Sequence, residues 1–156
     1  MLTIEIPGFG NLALEHLVLD FNGVVALDGK VLQGVHERLK DLAHNLKIHV
    51  VTADTFGSAE KALEDMDATL TVLESEGQDE AKRRYVAALG PEKCVCIGNG
   101  RNDRLMLKDA VLGIAVIHLE GMATEAALAS DLLCTGIHDA LDMLLAKKRL
   151  IATLRA

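Results

Sequence analysis

His16-Leu17-Val18-Leu19-Asp20-Phe21-Asn22-Gly23-Val24-Val25 is the stretch on which the fold turns. Residues 16–19 form a short, almost wholly apolar run, and runs of that kind suit a strand buried on both faces of a parallel sheet. Asp20 then stands at the strand's carboxyl end, and Asn22-Gly23 signals a turn.

Working outward, the same pattern recurs at Ile48-His49-Val50-Val51-Thr52, Leu70-Thr71-Val72-Leu73, Cys94-Val95-Cys96-Ile97-Gly98 and Gly113-Ile114-Ala115-Val116-Ile117. Helical periods lie between these runs: Val35, Leu39, Leu42 and Leu46; Ala59, Leu63 and Met66; Ala81, Tyr85, Ala88 and Leu89, closed by Gly90-Pro91; and Leu105, Met106 and Ala110. Alternation of strand and helix at βαβ spacing predicts right-handed crossovers and a mostly parallel, Rossmann-like sheet. The fold class expected is α/β, a three-layer α/β/α sandwich. Ahead of it, Leu2, Ile4 and Ile6 alternate with polar residues, Pro7-Gly8-Phe9-Gly10-Asn11 makes a turn, and Leu12 and Leu14 resume the alternation. Residues 2–15 therefore read as a β-hairpin.

The chain of 156 residues carries 23 acidic and 16 basic side chains, a formal charge of −7, with half its residues apolar and 3% aromatic. One domain over residues 1–156 is expected, able to bury a core without disulfide or metal. Neither a basic face nor an aromatic platform is available for nucleic acid. Nothing near Met1 resembles a signal peptide and no apolar run is long enough for a bilayer, so a cytoplasmic protein without membrane contact is expected. Cys94, Cys96 and Cys134 read as small core hydrophobes, since the count is odd and two of them alternate along one strand. Glu60 to Glu80 is an acidic run read as a solvated face. The basic segment 147–156, with its apolar stripe, reads as packing on its own domain. The six histidines show no metal-ligand spacing.

Polar residues mark the carboxyl ends of three predicted strands: Asp20, Thr52, and Asn99 with Asp103. In an open parallel sheet those ends converge on the crevice where such folds bind ligands. Asp54 reads as the N-cap of the helix that follows Thr52.

These residues resemble the haloacid dehalogenase (HAD) superfamily of phosphohydrolases and phosphotransferases. Residues 17–25 are similar to its first motif, a hydrophobic strand followed by Asp-x-Asp-Gly, and Val50-Val51-Thr52 to its second. Lys82 stands where the third motif's lysine is expected. Gly98-Asn99-Gly100-Arg101-Asn102-Asp103, followed by Gly113-Ile114-Ala115-Val116, is similar to the fourth motif of P-type ATPases and of their small soluble relatives. The resemblance implies a magnesium-dependent enzyme in which Asp20 is the nucleophile and forms an aspartyl phosphate. Asp20, the main-chain carbonyl of Asn22, Asn99 and Asp103 would surround the Mg2+ ion. Thr52, Ala53, Gly23 and Lys82 would hold the phosphoryl group, and Asp20, Asn22, Thr52 and Lys82 make up the catalytic set.

Two positions depart from the family pattern. Asn22 replaces the aspartate that protonates the leaving group, and an amide cannot shuttle a proton, which predicts weak hydrolysis or a preference for good leaving groups. Asn99 replaces a carboxylate of the P-type pattern, which predicts looser magnesium. The alternative is a catalytically impaired domain that binds phosphate or phosphorylates itself as a regulator.

Spacing bears on the substrate. Asp20 to Thr52 is 32 positions and Thr52 to Lys82 is 30. Neither interval has room for the cap domain with which relatives select small substrates, so an open site is expected, covered by a macromolecule or a neighbouring subunit. The expected partners are a phosphorylated small molecule or a phosphoprotein, with a homo-oligomer favoured by the resemblance to capless sugar-phosphate enzymes.

Overall fold

The computed structural model of the protein describes residues 1–53 and 57–156. Asp54 lies outside the described residues, and so does the expectation that it caps a helix.

Five of the apolar runs and one shorter segment form a six-stranded, all-parallel sheet. After the hairpin strands β1 (Leu2–Ile6) and β2 (Gly10–Leu14) come β3 (His16–Asp20), the two-residue strands β4 (Ala26–Leu27) and β5 (Lys30–Val31), and β6 (Lys47–Thr52). The chain continues through β7 (Ala68–Val72), β8 (Cys94–Gly98), β9 (Leu112–Val116) and β10 (Leu132–Cys134). The order across the sheet is β10-β9-β8-β3-β6-β7, so β3, with Asp20 at its end, sits near the middle.

Alternation along each central strand sends side chains to opposite layers. Leu17, Leu19, Ile48, Val50, Val95, Ile97 and Ile114 pack on one side with α1 (Val35–Ala43), α6 (Ile137–Leu145), Leu150 of α7 (Lys147–Leu154) and the hairpin. Val18, Val51, Cys94, Cys96 and Ala115 pack on the other, against α3 (Gln78–Leu89), α4 (Arg104–Asp109) and α5 (Thr124–Ala129). The three-layer α/β/α expectation holds, and the residues between β3 and β6 form only the small β4–β5 flap and α1.

Several local expectations are corrected. The run at Leu70 was expected to be buried on both faces, but β7 is the edge strand and Val72 is 56% exposed. An edge strand lacks a neighbour on one side and needs less apolar cover. Leu46 was expected on the helix of Val35, yet α1 stops at Ala43 and Leu46 is buried in the turn after it. The period of Ala59 and Leu63 yields only the short α2 (Ser58–Ala62). The strand β10 and the helices α5 and α6 were not anticipated; β10 is three residues long, below the length at which an apolar run stands out.

The basic tail forms α7, which lies on the hairpin: Leu150 is fully buried, Lys147 Nζ donates to the Thr3 carbonyl at 3.1 Å, and the Ala156 amide donates to the Pro7 carbonyl at 3.0 Å. Arg38 of α1 and Asp142 of α6 form a two-pronged ion pair at 2.8 and 3.1 Å. Cys94 and Cys96 are buried, Cys134 is half-buried, and all three are free thiols. Among the described residues no helix is long and apolar enough to cross a membrane.

Candidate active site

Asp20, at the end of β3, is 8% exposed, and Thr52, at the end of β6, is 4% exposed. The fourth-motif loop follows β8, and its helical turn carries Asp103, which is fully buried. Lys82 reaches the same spot from α3. Its aliphatic stem passes through the layer that holds Val86, and its ammonium donates to Asp20 Oδ1 at 2.7 Å and to Asp103 Oδ1 at 2.6 Å. The neighbouring arginine Arg83 turns outward instead, to Asp109 at 2.7 Å.

One buried cation between two buried carboxylates leaves a net negative charge in a low-dielectric site. Burial pushes the Asp20 carboxyl up to about 7; the charge of Asp103 adds to this and Lys82 opposes it. Burial works against the charge on Lys82, but Asp20 and Asp103 outweigh it and hold the ammonium above its usual range.

Asp103 is fixed as well as fixing. Its Oδ2 accepts the amides of Asn99 at 3.0 Å and Gly100 at 2.9 Å, so with Lys82 on Oδ1 three of its four acceptor positions are taken. Gly98 makes this approach possible: a Cβ there would stand 2.5 Å from that of Asp103. Asn102 donates to Gln78 at 2.7 Å and Arg104 pairs with Asp79 at 2.6 Å, tying the loop to the start of α3.

The remaining expected residues are placed as follows. Asn22 is exposed, and its side-chain oxygen accepts the Gly29 amide of the β4–β5 flap at 3.3 Å. Gly23, expected to offer its amide to a phosphoryl group, spends that amide on the Ala26 carbonyl at 2.8 Å inside the first-motif turn. Its contribution is steric, because φ is +80° and a Cβ would collide with Asn99. Ala53 is half-buried beside Thr52. Asn99 is 7% exposed and its Nδ2 donates to the Gly121 carbonyl at 3.1 Å.

Glu120 was missed by sequence reasoning. It sits in the loop after β9, its Oε2 within 2.6 Å of where a Gly23 Cβ would be. Its neighbours carry no motif, and only the fold brings it to the strand ends. A cavity of about 360 Å³ beside His36, Lys40, Asp65 and Asp67 opens at the amino ends of β6 and β7, away from this site.

Whether the donors fit magnesium is a question of their chemistry. Among the described residues no three His, Cys, Asp or Glu form a ready-made metal cluster. The strand ends instead offer hard oxygens: the Asp20 carboxylate, the Asn22 main-chain carbonyl and the Asn99 amide. Magnesium keeps several waters and takes one or two protein carboxylates together with substrate phosphate, so this sparse set fits it.

No family model matches the chain. The uncharacterized protein MJ0073 of Methanocaldococcus jannaschii is 52% identical over 64 residues, 41% of this chain and 69% of that protein. The uncharacterized protein MJ0072 of the same organism is 46% identical over 39 residues, 25% of this chain and 89% of that one. Among solved structures, the 3-deoxy-D-manno-octulosonate 8-phosphate phosphatase of Moraxella catarrhalis, in complex with magnesium, phosphate and KDO, superposes with TM-score 0.73 at 14% identity, covering 92% of this chain and 94% of the other. The cobalt-bound deoxy-D-mannose-octulosonate 8-phosphate phosphatase of Haemophilus influenzae gives 0.71 at 14%, over 86% and 88%. The corresponding phosphatase of Yersinia pestis gives 0.68 at 15%, over 96% and 95%. The fold is thus HAD-like, and the chain belongs to the family of MJ0073.

Proposed function

We propose that this member of the MJ0073 family is a magnesium-dependent phosphohydrolase or phosphotransferase that works through an aspartyl phosphate on Asp20. The observation that carries the reading is the bridge from Lys82 to both Asp20 and Asp103 at the carboxyl ends of a HAD-like sheet. An Asp20 carboxylate oxygen attacks phosphorus, the bond from phosphorus to the leaving oxygen breaks, and that oxygen departs with the electron pair. Lys82 holds the nucleophile in place and offsets the phosphoryl charge, Thr52 and the backbone at Ala53 face the equatorial oxygens, and Asp103 fixes Lys82. Water then attacks the aspartyl phosphate, or an acceptor alcohol does so if the reaction is a transfer. The ion, when bound, neutralises charge on the phosphoryl oxygens, with Asp20, the Asn22 carbonyl, Asn99 and Asp103 as its expected surroundings.

Asn22 cannot deliver a proton to the leaving group, so substrates that leave as weakly basic anions are favoured. That chemistry is shared with the P-type ATPases, whose fourth motif residues 98–103 resemble, although the solved structures above are sugar-acid phosphatases. Among the described residues no cap domain is inserted between β3 and α3, and the site accepts a phosphorylated small molecule, with a second subunit of a homo-oligomer as its cover. The setting is cytoplasmic, in keeping with such a substrate.

The deciding experiment is a magnesium-dependent screen of phosphate esters, acyl phosphates and nucleotides beside Asp20→Asn. Turnover by the wild type alone supports the reading; equal turnover by Asp20→Asn overturns it. The regulatory alternative draws on the engagement of the Asn22 side chain with Gly29, and it gains if the protein binds a metal-fluoride phosphate mimic tightly while hydrolysing no ester.

A further inference from the structure

Two side chains from separate loops close over the Cα of Gly23. A Cβ there would lie 2.6 Å from Asn99 Nδ2, 2.9 Å from Asn99 Oδ1 and 2.6 Å from Glu120 Oε2. Gly23 directly follows Asn22, whose main-chain carbonyl is an expected ligand of the cation, so this corner borders the cation position.

Glu120 is brought there by construction. The Gly121 amide donates to the His118 carbonyl at 2.7 Å, closing a turn with Glu120 at its third position. Asn99 Nδ2 then binds the Gly121 carbonyl and clamps that turn to the fourth-motif loop. With its NH2 turned to Gly121, the nine-tenths buried Asn99 presents an acceptor, Oδ1, that takes no hydrogen bond from the described residues. Asp103, the other acid of the loop, is already held by Lys82 and two amides. Among the described residues, the further carboxylate that meets Asn99 at Gly23 is that of Glu120.

We infer that Glu120 belongs to the coordination shell of the divalent cation, directly or through one of its waters, and replaces the negative charge absent at Asn99. This rests on the reading of Asp20 as the metal-dependent nucleophile. A hard carboxylate oxygen beside amide and carbonyl oxygens selects Mg2+ or Mn2+ over softer ions.

Mn2+ is the probe, with free ion counted by electron paramagnetic resonance in the absence of substrate. Glu120→Gln is expected to weaken Mn2+ binding about tenfold or more, the size of effect seen when groups supporting a metal are removed. Glu5→Gln, a remote charge on the hairpin, should leave binding unchanged. Asn99→Asp placed in the Glu120→Gln protein should restore it, because the charge returns to the same corner. Wild-type affinity in Glu120→Gln, with binding lost in Asp20→Asn, overturns this inference and leaves the phosphoryl-transfer reading intact. Equal affinity in wild type and Asp20→Asn overturns both.

Discussion

Lys82 Nζ lies 2.6 Å from Asp103 Oδ1, and neither side chain is more than 1% exposed. A lysine so placed is held only by its partners, because an unpaired buried ammonium would lose its proton or force the site open.

Lys82→Ala should therefore do more than stop turnover. It leaves Asp20 and Asp103 buried together without a cation, and removing one partner of a buried ion pair costs about 3–5 kcal/mol. Urea unfolding at neutral pH should show a loss of that size. Lys82→Arg, which keeps the charge but not the shape, should recover part of the stability and little activity; full stability in Lys82→Ala would contradict the paired-charge account.

Gly98→Ala tests the close approach behind Asp103. The new Cβ would stand 2.5 Å from the Asp103 Cβ and 2.6 Å from its Cγ. Something must move, at an expected cost of about 1–3 kcal/mol, and the displaced carboxylate should loosen its hold on Lys82. A thermal melt and an ester assay should fall together; an unchanged melt would mean that the loop adapts freely.

Asn22→Asp should speed hydrolysis of alkyl phosphates more than of acyl or aryl phosphates. The new carboxyl keeps the acceptor that binds the Gly29 amide and adds a proton source, a function worth about a hundredfold or more in enzymes. Parallel kcat/KM values on one ester of each kind provide the check. An equal gain on all of them would point to charge rather than acid catalysis.

His49 governs a second pH response, remote from the site. Its Nε2 lies 3.0 Å from His16 Nδ1 and its Nδ1 lies 2.9 Å from the Tyr85 hydroxyl. Burial pushes its pKa down to about 4, with the charges of His16 and Lys47 adding to the effect. His16 is lowered too, by burial first and by Lys47 next, with Glu15 opposing and Lys93 adding. The unfolded chain then binds more protons than the folded one between about pH 6.5 and 4, so stability falls as pH drops through that window and levels off below it. Asp20, shifted upward, acts in the opposite sense over the same range. His49→Gln compared with wild type isolates the histidine, and their stability difference should change by roughly 2 kcal/mol across the window. A difference independent of pH would show that His49 does not titrate in this way.

Much of the fold was legible because strand composition and burial agree. The runs at Leu17 and Val95 are apolar at successive positions, the run at Val50 is interrupted by the buried His49, and each lies in the sheet interior. Where burial is one-sided the pattern weakens: β7 at the edge read as if it were central, and β10 did not register. Of the candidate site, Asp20, Thr52, Lys82, Asn99 and Asp103 could be picked from motif spacing. Glu120 could not, since a glutamate in an unpatterned loop carries no signal of what it faces.

By itself, the sequence determined which residues end strands, because apolar runs closed by a polar residue follow from local pattern, and it determined that amides, Asn22 and Asn99, stand at two positions where the motifs it resembles have acids. Only the tertiary structure decided how Lys82 is held, its ammonium donating to both Asp20 and Asp103 while Arg83 turns outward to Asp109. It also decided that the Gly23 amide is spent on Ala26, that three of the acceptor positions of Asp103 are filled, and that Glu120 closes on Asn99. The physical reason is the same in each case: long-range packing fixes distances and hydrogen-bond partners between residues that local pattern leaves unrelated.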